Sequence, residues 1–339
     1  MNTLRICFTN FWPEFDENSN FITDALTTRF SIEVVGPDNN PDLHFYSLFG
    51  NLSKHYKYTD RIRIYYTSEN DVPNFTECDY AISTHHIKFG TRHFRLPIYT
   101  HYNDSYSNLL NEHKLTTQKS PLTRRFCCAV ISNNTCADPI RDSFIHELSR
   151  YKTVDCGGRH NNNIGKRVTD KISFCSDYKF CISFENSRVP YYTTEKLPDA
   201  LYAGCVPIYW GDPFVHKEFS KDAFIDISDF KSAKEAIEYI KEVDNDPKIY
   251  LRYLEANPLT NTVMANWVDN LCDFIRDALL SGKQMVDYGA NRRLYRYTKL
   301  GAEMRSYDFL SRNFDNFIKI HNLYESAKDK FSTIKQIFS

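Results

Sequence analysis

Between residues 185 and 196 the chain sets out Glu185, Asn186, Tyr192, Glu195 and Lys196, polar and charged side chains ill suited to closing a core. A lysine in the first turn of a helix adds a full positive charge to backbone N–H groups that have no partner inside the helix. That combination favours a phosphate or diphosphate. A carboxylate beside it would repel such an anion, so Glu195 is better matched to accepting hydrogen bonds from a vicinal diol, as on a ribose. Diphosphate and diol together describe a sugar nucleotide. The plain alternative is an ordinary helix start at Glu195 and Lys196 with Asn186 as a turn residue, and spacing alone does not separate the two.

These residues need a frame to bring them together, and the flanking sequence supplies one. Residues 178–184, YKFCISF, alternate aromatic and small side chains in the manner of a buried strand that ends at Glu185-Asn186-Ser187. Thr193 and Thr194 place hydroxyls where they can cap a helix with a charged first turn. Pro198 must lie in that first turn, because further in it would remove a hydrogen bond and collide with the turn before. Gly204 stops the helix after about two turns, and residues 205–210 read as a second strand closed by Gly211-Asp212-Pro213. The result is a βαβ unit. In open parallel sheets, ligands bind beyond the carboxyl ends of the strands, where all five residues gather.

The ordered set Phe184-Glu185-Asn186-Ser187, then Tyr192-Thr193-Thr194-Glu195-Lys196, then Ala203-Gly204-Cys205-Val206-Pro207-Ile208 closely resembles the donor-binding signature of the α-1,3/1,4-fucosyltransferases of glycosyltransferase family ten, in their bacterial form. The resemblance implies a GT-B-like α/β fold: two Rossmann-like domains facing each other across a cleft, donor on the second, acceptor on the first. It implies transfer of L-fucose from GDP-β-L-fucose to the 3-hydroxyl of GlcNAc or glucose in a lactosamine- or lactose-type acceptor, free or on a lipopolysaccharide, with inversion. No cofactor and no divalent metal are expected, since cationic side chains take the metal's place. Two other classes stay open. One is a sibling transferase for another GDP-deoxysugar; the other is a glycan-binding relative without turnover.

Composition sets outer bounds. At 339 residues two domains are the default. A hydrophobic content of 42% with 25% charged residues is that of a soluble globular protein, and a net charge of -1 gives no global field for nucleic acid. Ten cysteines without a CxxC pair read as buried reduced thiols, hence a cytoplasmic protein. No apolar stretch approaches the roughly 18 residues of a membrane span, and no signal peptide is evident, as in a soluble bacterial enzyme. Peripheral contact with the membrane's inner face is left as a weak alternative.

Along the chain, short apolar strands at 4–8, 32–35, 42–48 and 62–67 alternate with a helical pattern at 20–30, the signature of a parallel sheet covered by helices. Residues 66–74, YTSENDVPN, resemble a segment of the bacterial fucosyltransferases and put Glu69 at the mouth of a strand. After the strand at 79–82 the relatives carry an acidic pair with the presumed general base, whereas this chain has His85 and His86. An imidazole, with an ordinary pKa of about 6.5, can take a proton near neutrality. Glu69 and His86 are therefore the two candidate bases. A return strand is expected at 95–99, a linker at 116–121, and a boundary near 120, giving domains at 1–120 and 121–282 and a helical segment at 283–339. Strand 126–132 leads into a helix at 138–151 whose first turn carries Arg141, resembling the family arginine that meets the donor diphosphate. Gly157-Gly158 form a turn that either admits the donor or is only a turn. Asp244-Asn245-Asp246 matches a metal-binding DxD formally, but Asp246 ahead of Pro247 reads as a helix cap. Further helices are expected at 232–243 and 258–280.

Overall fold

The computed structural model describes residues 3–49, 58, 60–111, 115, 120–132, 137–260 and 263–284. The expected helical segment at 283–339 falls, from residue 285 onward, outside the described residues.

The first sheet holds β1 (Leu4–Thr9), β2 (Ile32–Val34), β3 (Leu43–Tyr46), β4 (Ile62–Thr67), β5 (Tyr80–Ser83) and β6 (His93–Arg95) in the order β2-β1-β3-β4-β5-β6. β1 pairs in parallel with both β2 and β3, and β3 with β4. All six residues of β4 are buried, as expected of a strand covered on both faces. Helix α1 (Phe21–Thr27) is fixed by a capping box: Asn20 accepts from the Ile22 and Thr23 amides, and the Thr23 hydroxyl accepts from the Asn20 amide. The return strand expected at 95–99 lies earlier, at His93–Arg95. β6 ends at Arg95 and the chain turns through a 3-10 turn at Ile98–Thr100 into α2 (Ser105–Leu110), because Pro97 removes a ladder donor.

The second sheet holds β7 (Arg125–Ala129), β8 (Val154–Cys156), β9 (Tyr178–Phe184), β10 (Val206–Trp210) and β11 (Ile225–Asp226) in the order β11-β10-β9-β7-β8, every pairing parallel. The order reverses between β7 and β9, so the carboxyl ends of those two strands flank the topological switch point where open α/β sheets bind ligands. Helices α3 (Ile140–Ser149), α4 (Lys171–Cys175), α5 (Lys196–Tyr202), α6 (Ala233–Asn245), α7 (Pro247–Glu255) and α8 (Trp267–Ser281) complete the described chain. One face of the sheet packs Phe180, Ile182 and Ile208 against Phe144, Leu148, Ile237 and Ile240. The other packs Cys128, Cys175, Cys181 and Cys205 with Ala200 and Ala203. The nine described cysteines are free and buried. Burial pushes the Cys128 and Cys205 thiols up, so both behave as small apolar side chains.

Of the helices expected at 258–280, residues 258–260 are not helical: Phe219 and Leu259 form an antiparallel bridge, reinforced by Ser220 N to Pro258 O at 2.9 Å and Thr260 N to Glu218 O at 3.0 Å. By spatial proximity the described residues form two compact units, one of those within 3–66, 74–81 and 278–284, the other of those within 67–73 and 82–277. β6 thus belongs to the first sheet but to the second unit. Among the described residues, no helix is long and apolar enough to cross a membrane.

Candidate donor site at the switch point of the second sheet

The loop after β7 leads to α3, and the loop after β9 leads to α5, so the switch point receives Arg141 from one side and Glu185 to Lys196 from the other. Arg141 is 2% exposed and donates from Nη1 to the Asn186 side-chain oxygen at 2.6 Å. Asn186 O in turn accepts from the Asp138 amide at 2.8 Å, stitching the two loops together. Burial lowers the Arg141 pKa, opposed by Glu185, Asp142, Tyr192 and Glu195.

Glu185 is fully buried and accepts three hydrogen bonds, from Thr194 N (2.8 Å), Thr194 Oγ1 (2.7 Å) and Lys196 Nζ (3.1 Å). Burial raises its pKa, and Lys196 and the Thr194 donors work against that rise. The carboxylate needs Gly211: a Cβ there would stand 2.5 Å from Glu185 Cγ and 2.8 Å from its Cβ. Lys196 Nζ also donates to Thr194 Oγ1 at 2.7 Å and lies 3.6 Å from Glu195 Oε1. Lys171, at the start of α4, stands 4.0 Å from that same Glu195 oxygen and donates to Asp199 Oδ2 at 2.7 Å. Asn103 donates to the other Asp199 oxygen at 2.8 Å.

The outcome is a row of alternating charge: Glu185, Lys196, Glu195, Lys171, Asp199. Burial would raise the Glu195 carboxyl, but Lys196 and Lys171 outweigh it and hold it at about 2. Burial opposes the Lys196 charge, and Glu185 and Glu195 keep its pKa raised. An arriving diphosphate would therefore compete with two carboxylates for Lys196, whereas Arg141 donates to a neutral amide.

One sequence expectation is corrected here, and one open alternative, that of the glycine turn, gains an observation. The hydroxyls of Thr193 and Thr194 do not cap α5, whose start at Glu195 has no side-chain cap; they are oriented instead as donors to Asp212 Oδ2 (3.0 Å) and Glu185 Oε2 (2.7 Å), because a buried carboxylate must be supplied with donors. Gly158 turns the chain where a Cβ would stand 1.9 Å from Ile131 O, so its close approach is to the loop after β7. Pro198 and Gly204 fall where expected: Pro198 in the first turn, and Gly204 just past the end at φ 73° with its amide on Leu201 O.

Tyr192 is 3% exposed, and burial, then Glu185 and Glu69, push its phenol up. That influence places exposed Glu69 in its electrostatic range, and the Glu69 loop is tied to the signature by Asn70 Nδ2 donating to Ser187 Oγ at 3.2 Å. Of the adjacent histidines, His85 is buried and burial pulls its imidazole down, while His86 is exposed and stacks on Tyr191 with ring centroids 4.8 Å apart. All eight expected site residues thus lie in the second compact unit. Sequence reading missed Lys171, Asp199, Tyr191 and Asp212. Only Asp212, beside a turn glycine and just after the signature, carried a local signal.

Two groups of candidate metal ligands occur among the described residues, Cys128, Cys175 and Cys181, and His216, Asp226 and Asp229, neither containing a signature residue. In the DxD match, Asp246 caps α7 through the Lys248 and Ile249 amides, and Asp244 is held by Lys179 (2.8 Å), Lys152 (2.5 Å) and Tyr151 (3.0 Å).

Comparisons with known proteins agree on one family. The model of the glycosyltransferase family 10 (fucosyltransferase) C-terminal region matches residues 121–283, and that of the α-(1,3)-fucosyltransferase FucT N-terminal domain matches residues 6–102. The α-(1,3)-fucosyltransferase FucT of Helicobacter pylori is 33% identical over 290 residues, 76% of this chain and 60% of that protein; this chain thus spans less than two thirds of its length. The human GDP-fucose protein O-fucosyltransferase 3 is 31% identical over 179 residues, 49% of this chain and 37% of that protein. A crystal structure of α1,3-fucosyltransferase superposes with a TM-score of 0.72 at 30% identity, over 82% of this chain and 90% of that one. Another, with GDP-fucose, gives 0.70 at 29% over the same shares.

Proposed function

The chain belongs to glycosyltransferase family 10, the fucosyltransferases, and has their GT-B α/β fold, and on that premise we propose that it transfers L-fucose from GDP-β-L-fucose to the 3-hydroxyl of GlcNAc or glucose in a lactosamine- or lactose-type acceptor, inverting the anomeric carbon. The observation that carries this reading is the Arg141–Asn186 contact at the switch point, with Lys196 and Glu195 beside it on the same loop. In a single displacement the acceptor oxygen bonds to the anomeric carbon as the bond to the GDP phosphate oxygen breaks. The hydroxyl proton passes to a base, and GDP leaves with the bonding pair. Arg141 and Lys196 would neutralise the charge growing on the departing diphosphate, the kind of stabilisation that contributes a few kcal/mol. Glu195, held ionised, accepts from the ribose diol, while Glu185, Asn186 and Tyr192 border the sugar and phosphates.

Of the two candidate bases, both exposed, His86 is favoured because a stacking partner orients its ring. With cationic side chains at the leaving group, no cofactor and no divalent ion are required. The enzyme would work in the cytoplasm on an oligosaccharide or O-antigen-type acceptor. A second acceptor class is favoured by the 31% identity to a protein O-fucosyltransferase, namely a protein hydroxyl. An acceptor screen with GDP-fucose against lactosamine, lactose and protein acceptors, followed by mass and linkage analysis, tests the proposal. A 3-linked fucosyl product supports it; hydrolysis without transfer to any acceptor contradicts it.

A further inference from the structure

We infer that Tyr191 is a positioning residue that holds the His86 ring for proton transfer and links it to the donor loop; this rests on His86 being the base. Tyr191 has φ 64°, a left-handed conformation that a bulky aromatic residue rarely adopts and that persists only where the surroundings impose it. They do so here at every polar atom. The Tyr191 amide donates to Asp212 Oδ1 at 2.7 Å, its carbonyl accepts from Thr84 Oγ1 at 2.9 Å, and its hydroxyl accepts from Lys217 Nζ at 2.9 Å. Asp212 is itself 1% exposed and held by the Phe214 amide and the Thr193 hydroxyl.

The His86 imidazole lies on this ring, 4.8 Å between centroids and 24° from parallel. Phe214 packs on Tyr191 at 5.2 Å, and the Arg95 guanidinium and Lys217 ammonium each lie 5.2 Å from its centroid. Arg95 also donates to the Thr84 carbonyl at 3.0 Å and is anchored by Glu218, so the loop carrying His86 is clamped to Tyr191 twice. The charged or titratable groups around the His86–Tyr191 pair are thus Arg95 and Lys217 at the Tyr191 ring, Asp212 at its amide, Glu218 behind Arg95, and His85 and His93 flanking His86, with Asp71 near His85. Tyr191 immediately precedes Tyr192 of the donor signature, so one strained peptide sets both the base and a donor contact.

The test uses Tyr191→Gly, which accepts the left-handed backbone at no steric cost while removing the ring, and Tyr191→Phe, which keeps the ring. With GDP-fucose and lactosamine, Tyr191→Gly is expected to lower kcat roughly tenfold to a hundredfold, the cost of a misplaced reacting group. The KM for GDP-fucose should change little, and Tyr191→Phe should stay near wild type. The ascending limb of the pH–rate profile should survive in Tyr191→Gly at a reduced plateau and vanish in His86→Ala, and Tyr191→Gly should cost nothing further in the His86→Ala background. Independently of turnover, the His86 ring resonances of histidine-labelled protein should shift in Tyr191→Gly and not in Tyr191→Phe. An unchanged kcat in Tyr191→Gly alongside a large loss in His86→Ala, or unmoved His86 resonances, overturns the role of Tyr191. A His86→Ala enzyme with full activity overturns the base assignment itself.

Discussion

Replacing Lys196 by methionine keeps roughly the length and packing of the side chain and removes its charge together with its donors to Glu185 and Thr194, so it reads what the alternating row at the switch point contributes. Glu195 titrates at about 2 instead of an ordinary 4.5, although its burial alone would push it the other way. Its side chain is 20% exposed, so solvent screens the pair only modestly. At about 1.4 kcal/mol per tenfold change in proton affinity, the depression is worth roughly 3 kcal/mol of folding stability. Because the folded pKa is the lower one, this contribution is fully present above about pH 4.5 and is lost as the pH falls through about 2. Lys196 is the larger of the two cationic influences, and Lys171 at 4.0 Å remains, so about 2 kcal/mol should go with Lys196. Glu185, fully buried, loses one of its three donors as well. For a domain of this size about 2 kcal/mol corresponds to a fall of roughly 4–8 °C in Tm at neutral pH. Differential scanning fluorimetry of wild type, Lys196→Met and Lys196→Arg from neutral pH to about pH 3 reads the effect, with the gap between wild type and Lys196→Met closing toward acid. Equal Tm values for wild type and Lys196→Met at neutral pH, or an equal fall for the arginine and methionine variants, would refute the electrostatic argument. Turnover of Lys196→Met should fall about a hundredfold.

Arg141→Ala removes the buried guanidinium at the switch point, and steady-state kinetics with GDP-fucose should show kcat/KM reduced roughly a hundredfold to a thousandfold; a change under twofold would take Arg141 out of the site. Gly211→Ala forces a methyl group against Glu185 and should lower both Tm and donor affinity, read by fluorimetry and GDP calorimetry; an unperturbed variant would mean Glu185 is free to move. EDTA should leave transfer intact, and complete loss restored by manganese would contradict a site run on side-chain cations.

The βαβ unit bearing the signature was legible because its punctuation is local. Pro198 tolerates only a first turn, and Gly204 accepts φ 73° at the helix end without steric cost. The short apolar strands declared the parallel sheets for the same reason. What sequence could not give is partnership at a distance. Nothing near Lys171 points to Asp199 or Glu195, and nothing near Asn103 points to Asp199; these contacts exist only once α4, α5 and the chain before α2 are packed. The threonine hydroxyls were misassigned because the helix amides they could accept from are near in sequence, while the buried carboxylates they donate to are near only in space. The positive φ of Tyr191 breaks a local rule, and only tertiary contacts explain it. Short helices such as α2 and α4 have too few residues for an apolar period to show.

A guanosine diphosphate sugar is expected to be gripped where β7 and β9 part. A crystal structure of the full chain with GDP-fucose tests this most directly. The expected density places the diphosphate within hydrogen-bond distance of Arg141 and Lys196 and the ribose hydroxyls on Glu195; a nucleotide lodged elsewhere, or none at saturating concentration, would contradict it.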